Sequence, residues 1–342
     1  MTVDETVFVT GATGFIGAHC VGLLLLQNYR VKAYCRSKEK FDRLARCVPE
    51  TRRSFLEPAF GSDITNALEL ATLMAECTGV LHLASPFTFE VASFVDDLLL
   101  PALQGTKAVL KAALANASVN RVVITSSFAA VYDASKGDQP GVVLDETDFS
   151  PLTWQDGATT KNPAVAYRAS KTVAENAAWK YMEQHKPNFS LTVLCPTMVF
   201  GPLFSPSLIS GTQELNFSNQ VVWGLLKGSG QVPPTKNPVW VDVRDLAEYH
   251  VKALSAPNAA NQRFLISAGD YDNQEIADIL RENLPLKITK TVPVGNPGSR
   301  IKGSHYTTNS SKGVKMLGVS YRALETCVLD LAKQLVAIDS LV

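Results

Sequence analysis

The sequence predicts a doubly wound α/β fold, a parallel sheet covered by helices on both faces, with a smaller C-terminal lobe. Three observations predict it. Short, continuously apolar, β-rich runs alternate with longer helical patterns up to residue 200 of the 342-residue chain. Three glycines, Gly11, Gly14 and Gly17, stand between the first apolar run and the first helical pattern. After Gly201-Pro202 the alternation loosens into a stretch rich in Ser, Gly and Pro.

The elements follow in order. Thr6–Thr10 reads as a strand, residues 16–27 as a helix and Arg30–Cys35 as the next strand. Residues 67–77 read as helical and 79–84 as a buried strand. Residues 98–116 form a long helical pattern, Arg121–Thr125 a buried strand, 166–185 a helix and 191–194 a strand. Beyond the break, 203–219 shows no period, and 239–251 returns to order with a helix over 245–254. A strand over 262–267, a helix over Asn273–Asn283, a Pro/Gly loop over 292–304 and a closing helix over 324–336 complete the chain. The length exceeds what one hydrophobic core usually serves. The expected division is a dinucleotide-binding domain over 1–200, to which 239–256 return, and a substrate-binding lobe from 201–238 and 257–342.

Composition excludes several classes. Hydrophobic residues make up 46% and charged residues 19%, enough for a substantial core and too apolar for a disordered chain. Lys+Arg and Asp+Glu both number 32, so nothing asks for nucleic acid or an anionic membrane as partner. The six cysteines are scattered without a C-x-x-C pair, which predicts reduced thiols, a cytoplasmic protein and no metal. Asp4 and Glu5 precede the first apolar strand, the wrong order for a basic leader. The longest apolar run, residues 21–26, is too short to span a bilayer.

Val9-Thr10-Gly11-Ala12-Thr13-Gly14-Phe15-Ile16-Gly17 places its glycines directly after a strand and at the mouth of a helix. Such a turn lets backbone N–H groups approach a pyrophosphate, whose charge the helix N-terminus stabilises. At the end of the second strand, an NAD site usually puts an acid on the ribose 2′-hydroxyl. Here Arg36 stands where the chain leaves the sheet, with Lys40 a turn later, and Arg suits a 2′-phosphate. The bland alternative is a solvated basic helix start, and Glu39 is the nearest acid. Asp63-Ile64 offers an acceptor and an apolar wall for adenine, or alternatively a plain helix cap over Thr65-Asn66.

Tyr167-Arg168-Ala169-Ser170-Lys171 puts a phenol and an ammonium on one helix face, a turn apart. A free phenol, with a pKa of about 10, is too weak an acid for ideal proton transfer near neutrality. A neighbouring Lys⁺ lowers that value. Tyr34…Lys38 and Tyr132…Lys136 share the spacing. Only Tyr167 leads into a sustained helix, because Gly137 to Gly141 stops the second match. Ser126 and Ser127 end the strand Arg121–Thr125, where hydroxyls face the ligand crevice or satisfy the strand end.

The glycine trio, Ser127, Tyr167 and Lys171 occur in the order of the extended short-chain dehydrogenase/reductases, and the chain resembles that family over nearly its whole length. Within it the chain is most similar to fungal NADPH-dependent aldehyde and ketone reductases of the methylglyoxal type, which in turn resemble plant dihydroflavonol reductases. The matching stretches include Gly11 to Gly17, Ala84-Ser85-Pro86-Phe87, Arg121 to Val131, Tyr167 to Lys171, Phe200-Gly201-Pro202 and Val241 to Asp245. The resemblance implies a Rossmann-type fold, NADP(H) as cofactor and a small carbonyl compound as substrate. It implies Ser127, Tyr167 and Lys171 as catalytic residues, and Arg36, Lys40 and Asp63 around the adenosine end. Ala84, Ser85, Thr125, Pro196 and Val199 are its further cofactor contacts, and Phe87, Phe128 and Met198 its substrate-side positions. Gln104 stands where the family often has Asn, and Phe128 and Met198 replace tyrosines of some relatives, which makes the pocket more apolar. The expected protein is an NADPH-dependent carbonyl reductase, monomeric or homodimeric. The alternatives are an NAD-dependent nucleotide-sugar epimerase or dehydratase and a non-catalytic NADP-binding redox sensor.

Overall fold

The computed structural model describes residues 5–85, 92–228, 230–300 and 302–340. Its strands are β1 (Thr6–Thr10), β2 (Arg30–Cys35), β3 (Leu56–Phe60), β4 (Gly79–His82), β5 (Arg121–Thr125), β6 (Val143–Leu144), β7 (Ser190–Pro196), β8 (Met198–Phe200), β9 (Val239–Asp242), β10 (Gln262–Ile266), β11 (Gly269–Asp270) and β12 (Thr307–Thr308). Its helices are α1 (Phe15–Leu26), α2 (Lys38–Cys47), α3 (Glu50–Arg53), α4 (Ala67–Leu73), α5 (Leu100–Ala115), α6 (Trp154–Thr159), α7 (Pro163–His185), α8 (Phe217–Lys227), α9 (Val243–Ser255), α10 (Asn273–Asn283), α11 (Leu286–Thr289), α12 (Ser311–Leu317) and α13 (Leu324–Ser340).

Seven strands form one parallel sheet in the order β10-β7-β5-β4-β1-β2-β3. The strand order reverses between β1 and β4, which opens a crevice at their carboxyl ends. Alternation along β1 explains the two-sided cover. Val7 and Val9 point to the face carrying α1 and α9, and Phe8 to the face carrying α4, α5 and α7. All three are buried, at about 1.5–3 kcal/mol per large apolar side chain. Residues 95–115, a π-turn running into α5, are long and apolar enough to cross a bilayer, yet 56% of that window is buried inside the protein.

A second core gathers Phe200 and Trp240 from the short sheet β11-β9-β8 with Leu225 of α8, Ile276 of α10 and Leu331 of α13. The structure corrects the expected division at β10. This strand, expected in the substrate lobe, is the edge strand of the large sheet, paired in register with β7. Phe264 and Ile266 face the α1/α9 side of the large sheet and Leu265 the α4/α5/α7 side, so the strand needs cover on both faces, which only the large sheet supplies. Helix α12 follows it there, with Leu317 in the α1/α9 core. Helix α8 falls partly in the stretch expected to be aperiodic. Val222, Leu225 and Leu226 form its buried face, and Gly228 ends it at φ +79°.

Candidate active site

The turn between β1 and α1 is built from close approaches. Gly11 adopts φ +68°, and a Cβ there would stand 2.8 Å from the Ala84 nitrogen. A Cβ on Gly17 would overlap the Gly11 carbonyl oxygen, which already accepts the Gly14 N–H at 3.0 Å. Helix α1 begins after exposed Gly14 with no side-chain cap and no acid in its first turn, which holds Phe15, Ile16 and Gly17. Its first N–H groups therefore suit an anion such as a pyrophosphate. Thr10 Oγ1 accepts the Ala84 N–H at 3.2 Å and bonds His82 Nδ1 at 2.8 Å, which fixes the two strand ends at the crevice. A cavity of about 470 Å³ opens between Thr13, Gly14 and Phe15 on one side, Lys40 and Arg43 on another, and Phe204 on the facing loop.

Arg36 is exposed at the carboxyl end of β2. Ser37 caps α2 by accepting the Lys40 N–H at 3.3 Å, and the exposed Lys40 side chain borders the cavity. Glu39 accepts from Arg43 at 2.6 Å and so is engaged along its own helix. Arg43 is a second cation at this cavity, beside Lys40, and no sequence motif marks it. Asp63 accepts the Thr65 N–H at 2.8 Å and the Thr65 hydroxyl at 2.7 Å, and these bonds hold its carboxyl below the usual range. The cap of α4 is Asn66, which accepts the Glu69 N–H. Ile64 packs against Gly105 of α5.

Asn162 caps α7 and Pro163 occupies its first turn, so the helix starts one turn before Tyr167 and continues to His185. Ser127 caps the 3-10 turn Phe128–Ala130 by accepting the Ala129 N–H at 3.1 Å, and it is hydrogen-bonded to Tyr167. Burial raises the Tyr167 phenol above its usual pKa, against the bond from Ser127 and the charge of Arg168. Burial lowers Lys171 to about 8, against the upward pull of Cys195 and Glu175. His82 is lowered to about 3, first by burial and then by Lys171, so the crevice floor there is neutral imidazole.

The lysines of the other two Tyr–Lys matches are paired elsewhere. Tyr132 donates to the Gly137 carbonyl at 2.8 Å, and Lys136 pairs with Asp133 at 3.8 Å. The Tyr34 hydroxyl is buried beside Gly61, and Lys38 pairs with Asp42 at 2.7 Å. The structure thus brings Ser127 and Tyr167 together, with Lys171 one turn on.

The remaining residues scatter more. Thr125 Oγ1 bonds His250 Nε2 at 2.6 Å, and Pro196 ends β7 opposite Ile266. The Val199 carbonyl accepts the Ser218 hydroxyl at 2.5 Å. Ser85 is half-buried just after β4, and Gln104 is exposed on α5. Met198 is half-buried against the second core. Phe128, expected on the substrate side, is a core ring. It stacks on Tyr132 at 5.6 Å and meets Tyr306 at 5.6 Å, because the tight turn after Ser127 folds it inward. Phe87 lies outside the described residues. Among those residues no group of three or more His, Cys, Asp or Glu is placed to hold a metal.

The sequence profile described as the NAD dependent epimerase/dehydratase family matches residues 7–267, which take in the large sheet from β1 to β10 and the Ser127–Tyr167–Lys171 group. The chain belongs to that family. Within the epimerase/dehydratase family, the NADPH-dependent methylglyoxal reductase GRE2 of Saccharomyces cerevisiae is 34% identical over 98% of this chain and 99% of its own. Ketoreductase azaE of Aspergillus niger is 34% identical over 96% of this chain and 97% of its own. The crystal structure of yeast methylglyoxal/isovaleraldehyde reductase Gre2 complexed with NADPH superposes with a TM-score of 0.91 at 32% identity, over 99% of this chain and 100% of that one.

Proposed function

We propose that the protein is an NADPH-dependent reductase of aldehydes and ketones. The observation that carries this reading is the Ser127–Tyr167 hydrogen bond at the carboxyl edge of the sheet, with the Lys171 ammonium one turn along the same helix. Relatives named as methylglyoxal reductase and ketoreductase, and a similar fold that binds NADPH, support it.

The residues fit the cofactor. The glycine turn and the uncapped start of α1 suit the pyrophosphate, and Arg36 with Lys40 the 2′-phosphate. Asp63 and Ile64 would border the adenine, and Ala84, Ser85, Thr125, Pro196 and Val199 would line the path toward the nicotinamide. Bound NADPH supplies the hydride. Ser127 and Tyr167 then hold the substrate oxygen between two hydroxyls, which polarises the carbonyl and fixes its orientation. Tyr167 stays protonated near neutrality and delivers its proton to that oxygen as negative charge develops there. Lys171 would hold the nicotinamide ribose, and its charge favours the phenolate left behind. Met198 and the seam beside β8 contribute an apolar wall, which favours substrates with apolar or aromatic substituents. Six unpaired cysteines fit a reducing, cytoplasmic setting.

The test is NADPH consumption followed by absorbance with methylglyoxal, isovaleraldehyde and a series of aryl ketones, each repeated with NADH. Turnover with NADPH well above NADH is expected. No carbonyl-dependent oxidation, or NAD that survives purification in the protein, overturns the reading in favour of an epimerase or dehydratase.

A further inference from the structure

We infer that Glu175 and Arg263 are positioning residues, a buried pair that holds the Ser126-Ser127 strand end against helix α7 so that Ser127, Tyr167 and Lys171 stay in register. The inference rests on the reductase reading above. Tyr167, Lys171 and Glu175 follow one another at intervals of four on α7 and share a face. The Glu175 carboxylate accepts from the Ser126 hydroxyl, from Arg263 Nε at 2.5 Å, from Trp179 Nε1 at 3.3 Å and from the Cys195 thiol at 3.6 Å. Its side chain is 1% exposed and that of Arg263 7%.

Two adjacent serines thus fasten the end of β5 to the same helix at two points two turns apart, Ser127 on Tyr167 and Ser126 on Glu175. A single bond leaves the strand end free to pivot, and a second one removes that freedom. Arg263, from the edge strand β10, also donates to the carbonyls of Ala130 at 3.1 Å, Glu146 at 2.8 Å and Asp148 at 2.6 Å. It therefore grips the far end of the 3-10 turn that Ser127 begins. Buried ion pairs contribute little net stability over apolar residues of the same volume. What this pair supplies is placement.

Lys171 is faced by Tyr167 and Glu175 from its own helix, Cys195 from β7 and His82 from β4. Burial keeps the Cys195 thiol and the His82 imidazole uncharged near neutrality, and the Glu175 carboxylate pairs with the Arg263 guanidinium. Asp96 and Asp97 before α5, Lys107 and Lys111 on α5 and Asp156 on α6 are exposed. Removing the Glu175 charge therefore lowers the pH at which Lys171 loses its proton.

The full chain with NADPH and a ketone turned over by the wild type tests this, with kcat and kcat/KM measured from pH 6 to 10 and NADPH affinity titrated separately. Glu175→Gln is expected to bind NADPH within about threefold of wild type, since only placement changes, and to lose roughly 10- to 100-fold in kcat. Its alkaline limb should move down by about one pH unit. The double variant Glu175→Leu/Arg263→Met removes both charges and restores packing, and its kcat is expected to stay low. A double variant with wild-type kcat and pH profile overturns the inference, as does a Glu175→Gln variant altered only in melting temperature. If neither folds, Ser126→Ala decides, because it removes one attachment without stranding a charge. A kcat at least tenfold down supports the pair, and a wild-type kcat overturns it. Wild-type turnover tests the reductase reading by itself, whereas only the ratio of variant to wild type tests the pair.

Discussion

Replacing Tyr167 with Phe removes one oxygen and leaves the ring, so its effects on folding and on chemistry separate cleanly. The hydroxyl is hydrogen-bonded to Ser127, and one such bond contributes about 1 kcal/mol to stability. A chain of 342 residues unfolds with an entropy of roughly 0.7 kcal/mol/K at Tm, so the melting temperature should fall by only about 1–2 °C. The chemical loss is larger. A positioned proton donor contributes roughly 10²- to 10⁴-fold, a barrier increase of about 3–5 kcal/mol. Tyr132→Phe is the internal control. Its hydroxyl bonds the Gly137 carbonyl at 2.8 Å, so its stability cost matches, yet it lies outside the proton path. The assay is initial-rate NADPH oxidation with one aldehyde and one ketone, alongside thermal melts and NADPH titration of both variants. Equal activity losses in the two variants, or more than a tenth of wild-type kcat in Tyr167→Phe, would refute the assignment of Tyr167 as proton donor.

Four further outcomes are expected. Arg36→Asp should weaken NADPH binding roughly 10- to 150-fold, the worth of a charged hydrogen bond, with little change for NADH. A wild type that already prefers NADH would contradict this. Lys171 is lowered to about 8, so kcat/KM should decline as pH rises through that value and the ammonium is lost, whereas a flat profile to pH 10 would show that its charge is not needed. His82 and His250 are lowered to about 3 and about 4, so each favours the folded state while neutral and disfavours it once the pH drops below the unfolded value near 6.5. Each should cost about 1.4 kcal/mol at pH 5.5, a combined drop in Tm of roughly 4 °C from pH 7.5, which His250→Gln should about halve. Met198→Ala should widen the wall beside β8 and loosen stereochemical control by about 1–3 kcal/mol of discrimination. Unchanged enantiomeric excess on a bulky aryl ketone would place Met198 outside the pocket.

Local signals carried most of the fold. Thr6–Thr10, Arg30–Cys35 and Arg121–Thr125 are legible to the residue, since buried parallel strands are short apolar runs with sharp ends. Helix α8 is not, because its apolar face is short and set among Ser, Gly and Pro. The allegiance of β10 is invisible in sequence, since a strand buried on both faces looks alike in any sheet that covers it. At the site, the sustained helix that sets Tyr167 apart from Tyr34 and Tyr132 is legible in the residues that follow it. The state of Asp63 depends on which local donors reach its carboxylate, and the inward turn of Phe128 on a partner ring, Tyr306, far along the chain. Glu175 and Arg263 lie 88 residues apart with no spacing to link them.

That separation bears on synthesis as well as on catalysis. A ribosome adding about 5–20 residues per second takes roughly 4–18 s to move from Glu175 to Arg263. Throughout that interval the nascent chain has helix α7 and strand β7 in hand, an uncovered sheet edge at β7, and a carboxylate destined for burial whose guanidinium has not yet been made. The contacts that join Ser126, Glu175 and Arg263 are therefore completed only when β10 pairs with β7. Truncated products that stop before residue 262 carry Ser127, Tyr167 and Lys171 together with an open strand edge, the feature that draws unfinished chains into aggregates.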